Sequence, residues 1–257
     1  MVNSADSLRL DLVVPSAIAE RLRAGAVPAT ERHAAIGLLF RKAGCKPTEQ
    51  KVQKHSVNVI CILPGETAET IVVGGHIDFV QAGQGIVDDW SGASLLPSLY
   101  ETLKQQPRKH TYEFVAFSGE ESGLLGSSKF VASLTRAQRA SIEAFVNLEC
   151  LGLAPTKVWE HRSTPELVQR LIQTANALKL PISAVNVERV GDDDTHPFKD
   201  KKIPVISIHS LAQETFPILH SRDDNLSAVH ENVYYTSYKL IAFYLALLDL
   251  KVLAGQA

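Results

Sequence analysis

Two adjacent carboxylates, Glu120 and Glu121, follow the apolar run Phe114-Val115-Ala116-Phe117 and sit between Gly119 and Gly123. Like charges side by side repel, so the pair calls for a counter-charge. A bound cation would neutralise one carboxylate and leave its neighbour free to move protons. The chain also carries what such a cation needs: His76 and Asp78 in Gly74-Gly75-His76-Ile77-Asp78, Asp88 and Asp89 ahead of Trp90-Ser91-Gly92, then Glu149 and His220. Imidazole and carboxylate donors without thiolate suit zinc, and also cobalt or manganese. One catalytic zinc uses three protein ligands and keeps an open position. His76, Asp88, Glu121, Glu149 and His220 make five, which two ions sharing one carboxylate would use completely. Such ions lower the pKa of bound water toward about 7, and a free carboxylate alongside can take its proton and later return it to a leaving amine.

The elements that must position these residues follow from pattern and punctuation. Residues 16 to 43 contain helical periodicity, with Ile36, Leu39 and Phe40 on one face and Gly44 as a stop. Ser56 to Leu63 is β-branched and reads as a strand. After the Pro64-Gly65 turn a second strand starts at Thr70, so the two read as an antiparallel, hairpin-like pair. Beyond it, helices over Ser91–Gln106, Leu124–Ser133, Pro165–Leu180 and Asn232–Val252 alternate with strands over Thr111–Phe117, Ile142–Glu149 and Pro204–His209. Ser163 or Thr164 would cap the Pro165 helix. Alternation of this kind implies crossover connections. The expected fold is therefore α/β, a mixed, mostly parallel central sheet with helices on both faces, in one domain over residues 1–257. Ligands of such sheets sit beyond the carboxyl ends of the strands, where His76, Asp78, Glu120, Glu121 and Glu149 all fall.

Bulk composition narrows the classes. The 257 residues carry a net charge of −2 with 45% hydrophobic and 21% charged residues, which suits a globular domain and offers no basic footprint for nucleic acid. Cys45, Cys61 and Cys150 have no zinc-ribbon spacing and read as buried thiols in a reducing compartment. Met1–Asp6 lacks a basic segment followed by an apolar one, so no secretory signal is visible and the expected location is cytoplasmic. The apolar run Leu240–Leu248 is too short for a membrane span, which takes about 20 residues. Oligomeric state stays open.

The segments Gly75-His76-Ile77-Asp78, Gly85-Ile86-Val87-Asp88-Asp89-Trp90-Ser91-Gly92, Val115 to Ser127 and Asn147-Leu148-Glu149 resemble the co-catalytic di-zinc aminopeptidases. That family also includes glutaminyl cyclases and the non-enzymatic transferrin receptor ectodomain. The resemblance runs from about Thr70 to the last helix. It implies that His76 and Glu149 bind one zinc, Glu121 and His220 the other, and that Asp88 bridges them. Glu120 would be the general base and acid, and Asp78 would fix the His76 ring from behind. The implied reaction is hydrolysis of the peptide bond at a free N-terminus. Three positions depart from the family: Glu149 stands where Asp is common, Leu219 where a Tyr often precedes the last histidine, and Asp193-Asp194-Thr195-His196-Pro197-Phe198 matches its Ser-Asp-His stretch only loosely.

Simpler roles compete at several positions. Asp88-Asp89 could cap the helix at Ser91, a role left to Asp89. Cys150 reads as core, because strand neighbours point to opposite faces. His196, His209 and His230 compete with His220. Asp192-Asp193-Asp194 reads as a solvated loop, and Trp90 as either pocket wall or core. The loop Phe79–Val87, with Gly83 and Gly85, suggests mobility beside the substrate. Two rival functions remain: a glutaminyl cyclase with one zinc on similar ligands, and a non-catalytic binding domain of the same fold.

Overall fold

The computed structural model describes residues 8–187 and 191–250; Met1–Asp6 and Val252 lie outside them. The chain enters through α1 (Pro15–Arg23) and α2 (Arg32–Lys42), then β1 (Thr48–Gln53), β2 (Ser56–Leu63) and β3 (Thr70–His76). The single turn α3 (Ser91–Ala93) and α4 (Leu96–Leu103) lead to β4 (Thr111–Phe117), α5 (Leu125–Ser133), α6 (Arg136–Ser141) and β5 (Ile142–Glu149). Then come β6 (Lys157–Val158), α7 (Pro165–Leu178), β7 (Ser183–Ala184), α8 (Thr195–Asp200), β8 (Val205–His209) and α9 (Glu231–Asp249). The eight strands form one sheet in the order β1-β2-β4-β3-β5-β8-β6-β7. Its centre, β4-β3-β5-β8, is parallel, while β1, β2 and the β6–β8 pair supply antiparallel edges.

Period-two alternation builds the layers. Ile71 and Val73 of β3, Tyr112, Phe114 and Ala116 of β4, and Ala144, Val146 and Leu148 of β5 face one core with α1, α2, α4, α7 and α9. Val72, Val115, Phe117 and Phe145 face a second core with Phe130 and Val131 of α5 and Phe198 of α8. The expected α/β sheet covered on both faces is what the chain adopts. The tyrosines of α9 pack as expected: Tyr234 donates to the Ser91 carbonyl at 2.6 Å and Tyr244 to that of Leu167 at 3.1 Å.

Four expectations are corrected. First, β2 and β3 do not pair; β4 lies between them, antiparallel to β2 and parallel to β3. Every residue of β3 is buried, so it needs a strand on each side, and β2 finds its hairpin partner in β1 instead. Second, the helical stretch 16–43 breaks after Arg23 and restarts at Arg32, across Gly25 and Pro28. Third, Thr164 precedes α7 but makes no side-chain cap; its hydroxyl accepts the Val205 N–H at 3.0 Å, tying the helix start to β8. Fourth, Cys45 and Cys61 are not thiols. They form a disulfide with Cα atoms 6.3 Å apart, joining the end of α2 to β2, and only Cys150 is free. An odd count forbids complete pairing but allows one bond, so the cysteine argument for a reducing compartment falls. Among the described residues, no helix is long and apolar enough to cross a membrane.

Candidate functional site

The sheet brings its chemistry to the carboxyl ends of β3, β4 and β5. His76 is the last residue of β3 and lies beside Phe117, the last of β4. Just beyond Phe117, Gly119 takes a φ of +83°, a left-handed conformation that favours glycine and turns Glu120 and Glu121 back over the strand ends. The N–H groups of Gly123 and Leu124 close the turn on the Glu120 carbonyl, both at 2.9 Å. Glu149 ends β5. Asp88 comes from the loop before α3, and His220, at φ +55°, from the loop before α9.

These five side chains meet in two overlapping groups. His76 Nε2 lies 3.2 Å from Asp88 Oδ1 and 3.4 Å from Glu149 Oε1. His220 Nε2 lies 3.1 Å from Asp88 Oδ2 and 3.2 Å from Glu121 Oε2. Each group offers one ligand atom per residue within 4.8 Å, and Asp88 gives one oxygen to each. Glu120 belongs to neither group; its Oε2 stands 3.9 Å from His76 Nε2.

The electrostatics fit cations in both groups. Burial, reinforced by the negative charges of Asp194, Glu149 and Asp88, holds the Glu120 carboxyl well above its usual range. Burial and Asp88 push Glu121 up to about 7, and burial also raises Glu149. The His76 ring is pulled down by burial but raised further by Glu120, Asp78, Asp88 and Glu149, and the Asp88 hydrogen bond lifts His220 to about 9. Among the described residues, Glu121 Oε1 is buried without a hydrogen-bond partner, which leaves it free to act as a further donor atom. His76 Nδ1 sits 3.1 Å from the Asp78 carbonyl, which only accepts, so Nε2 is the nitrogen left to bind.

The Asp78 carboxylate lies 3.7 Å from Nδ1 and acts on that ring electrostatically. Its hydrogen bonds go to the backbone: Asp78 Oδ1 accepts the N–H of Gly119 at 2.7 Å and of Glu120 at 3.1 Å, and Oδ2 that of Glu121 at 3.2 Å. Three converging N–H groups demand an acceptor, so Asp78 shapes the turn that carries the carboxylate pair. Burial raises its pKa, but His76 and these N–H groups outweigh that and leave it below the usual range.

Other positions resolve as follows. Asp89 is fully buried and accepts the N–H groups of His76, Gly92 and Cys150. Gly92 must lack a side chain, since a Cβ there would lie 2.4 Å from the Leu148 carbonyl oxygen. Trp90 is core: its indole donates to the Arg21 carbonyl at 3.1 Å. The Phe79–Val87 loop is pinned, with Arg32 donating to the carbonyls of Ile77, Gly25 and Gln84 and Asp224 accepting the Val87 N–H at 2.7 Å. His209 is excluded as a ligand because Nδ1 accepts the Leu211 N–H and Nε2 faces the Val185 carbonyl. His196 pairs with Asp192 and Asp200 outside the cluster. Cys150 is buried as expected, yet it lines the same cavity as the cluster.

The acidic triplet is not a solvated loop. Only Asp192 is exposed; Asp193 and Asp194 are 2% and 0% exposed, because α8 packs Phe198 into the second core and draws them in. The signal for this burial in the sequence is the loose match of Asp193-Asp194-Thr195-His196-Pro197-Phe198 to the Ser-Asp-His stretch. A larger cavity of about 260 Å³, lined by Ile71, His110, Ala144 and Pro204, lies at the opposite, amino ends of the strands and holds none of the candidate ligands.

The comparisons agree with this architecture. The leupeptin-inactivating enzyme 1 of Streptomyces exfoliatus is 31% identical over 162 residues, 62% of this chain and 36% of that protein. The chain thus spans little more than a third of the length of the first curated relatives it matches; for the Bacillus subtilis aminopeptidase YwaD the figure is 37%, at 27% identity over 63% of this chain. The Legionella pneumophila aminopeptidase LapA superposes with a TM-score of 0.83 at 16% identity, covering 92% of this chain and 72% of that one. The Porphyromonas gingivalis glutaminyl cyclase superposes with a TM-score of 0.76 at 22% identity, covering 93% and 99%. Residues 58–245, nearly the whole sheet and the site it carries, match Peptidase family M28, and the chain belongs to that family.

Proposed function

We propose that this chain is a zinc aminopeptidase that holds two zinc ions and hydrolyses the N-terminal bond of peptides. The observation that carries the reading is the pair of ligand groups sharing Asp88, with Glu120 beside both and part of neither. His76, Glu149 and Asp88 would hold one ion, and Glu121, His220 and Asp88 the other. When bound, the ions supply Lewis acidity and lower the pKa of water. Glu120 takes the proton of the attacking water and delivers it to the leaving amine, a role suited to a carboxylate that lies beside the ligand groups and belongs to neither. The excess of carboxylates at the cluster suits the ammonium of a free N-terminus. The names of the curated relatives, aminopeptidases among them, support the same chemistry. The Cys45–Cys61 bond favours an oxidising compartment over a cytoplasmic one.

A second reading, glutaminyl cyclase with one zinc, draws support from one observation. By superposition this chain covers 99% of the Porphyromonas gingivalis cyclase and 72% of the Legionella pneumophila aminopeptidase LapA. Metal analysis combined with a panel of aminoacyl amides separates the two. Two zinc ions per chain and release of free amino acids support the peptidase. One zinc, with ammonia and pyroglutamate from glutaminyl peptides alone, overturns it.

A further inference from the structure

The loop that carries Glu120 and Glu121 leaves β4 at Ser118 and enters α5 at Leu125. Asp78 takes the N–H groups of Gly119, Glu120 and Glu121. The N–H before them, that of Ser118, goes to a residue remote from the ligand cluster: Asn58 Oδ1, on β2, accepts it at 3.1 Å. The same side chain reaches the far end of the loop, where Asn58 Nδ2 donates to the Gly126 carbonyl in the first turn of α5 at 2.9 Å. Nδ2 also donates to Gln50 Oε1 of β1 at 2.8 Å, and Gln50 Nε2 donates to Ser133 Oγ at the end of α5 at 2.9 Å. Two acceptors on one side of the amide and an N–H donor on the other fix which end is the oxygen. Asn58 is 0% exposed, so each of these bonds is made in the interior. Gly126 has no room for a side chain, since a Cβ there would lie 2.5 Å from both Asn58 Oδ1 and the Ser118 carbonyl oxygen. The two ends of the loop are thus closed onto one carboxamide.

The need for such a clamp follows from the charges on the loop. Glu120 and Glu121 repel each other and the carboxylates of Asp88 and Glu149 across the cluster. Glu121 has a ligand group to hold it, but Glu120 belongs to none, so its place depends on its backbone. Reacting groups hold their geometry only when a supporting layer of packing and hydrogen bonds fixes them. Asp78 fixes the middle of the turn and leaves both ends to be fixed from elsewhere. An apolar residue at position 58 would strand the Ser118 N–H and the Gly126 carbonyl, whereas a carboxamide supplies the acceptor and the donor that they require. We propose that Asn58 is a positioning residue for the reaction, closing the Ser118–Gly126 loop so that the Glu120 carboxylate stands over the metal cluster. This rests on the reading of Glu120 as general base above and adds a residue from a strand that carries none of the cluster.

The test uses the zinc-loaded full chain and leucyl anilide. Asn58→Leu keeps the volume and removes the hydrogen bonds, while Gly126→Ala improves helix propensity yet sets a methyl group against the same carboxamide. Each is expected to lower kcat about 10- to 100-fold with KM changed by less than about twofold, the loss that a misplacement of about 1 Å brings. In a Glu120→Gln background the same substitutions are expected to change kcat by less than about twofold, because they act through a carboxylate that is no longer there. A role in the fold alone predicts equal losses in both backgrounds. Circular dichroism checks the fold, and either variant suffices if the other does not fold. A second readout is independent of turnover: amide hydrogens of Ser118–Glu121 are expected to exchange at least about tenfold faster in Asn58→Leu, with those of β3 and β5 unchanged. Unchanged kcat in both variants, or equal losses in both backgrounds, overturns the inference and leaves the aminopeptidase reading standing. If the wild-type chain hydrolyses no substrate, that reading fails and exchange decides alone. Faster exchange confined to the turn then supports Asn58 as its clamp, and unchanged exchange overturns it.

Discussion

The Asp89 carboxylate accepts the backbone N–H of His76 at 3.1 Å through Oδ2, while its Oδ1 accepts those of Gly92 at 3.0 Å and Cys150 at 2.9 Å. One buried carboxyl group thereby ties the end of β3, the start of the helix after Asp88 and the residue after Glu149. Asp89→Ala strands three buried donors and is expected to destabilise the fold by about 3 kcal/mol, with Asp89→Asn intermediate because one acceptor oxygen remains. Metal affinity should fall alongside, since His76, Asp88 and Glu149 are adjacent to the groups released. Urea unfolding and metal analysis check this; an Asp89→Ala protein of wild-type stability and metal content contradicts it.

Glu120 lies outside both ligand groups, so Glu120→Gln separates chemistry from metal binding. The variant is expected to keep its metal content and lose about 10²–10⁴-fold in kcat on aminoacyl anilides, the usual contribution of a positioned general base. Loss of metal in the variant would instead make Glu120 a ligand. Unchanged kcat would remove it from the reaction.

The disulfide between Cys45 and Cys61 closes a loop with a sequence separation of 16. In the chain-entropy account a loop of that size is worth about 3 kcal/mol. Reduction, or the Cys45→Ala/Cys61→Ala double variant, is therefore expected to lower the urea midpoint accordingly, and mass spectrometry after alkylation should find Cys150 as the one free thiol in the native oxidised protein. Alkylation of all three cysteines without reductant would refute the bond.

Burial lowers the His209 pKa to about 4 and outweighs the raising effect of the Val185 carbonyl. In the unfolded chain the ring titrates near its ordinary value of about 6.5. Between those values the unfolded state holds the extra proton, so stability falls as pH drops from about 6.5 to 4, by up to about 3 kcal/mol, and this contribution changes no further below 4. His209→Gln keeps a donor for the Val185 carbonyl and has no proton to gain. Its unfolding free energy should lose less across that window, and equal slopes for the two proteins would exclude His209 as the source.

Much of this protein was legible without coordinates, for identifiable reasons. Ser56–Leu63, Thr111–Phe117 and Ile142–Glu149 are apolar or β-branched runs with clear ends, and they form strands over those residues. β1 (Thr-Glu-Gln-Lys-Val-Gln) was not legible, because an exposed edge strand needs no apolar alternation. The two-residue strands β6 and β7 are shorter than any pattern. Strand order also escaped, since the β2–β3 link says nothing about β4 inserting between them.

The sequence by itself determined the donor types and their order along the chain: one imidazole before a carboxylate pair, further carboxylates, then a second imidazole. It also determined the strand ends that put most of them on one edge, because strand propensity and charge are local properties. Only the tertiary structure decided that Asp88 gives one oxygen to each group, and that Asp78 serves the backbone of the Gly119–Glu121 turn as well as the His76 ring. It alone buried Asp193 and Asp194 and set Trp159 and Ser207 beside the cavity that holds the cluster. Those outcomes depend on which distant segments share a surface once the sheet is ordered, and hydrogen-bond satisfaction in the buried interior is settled by such neighbours and not by adjacent residues.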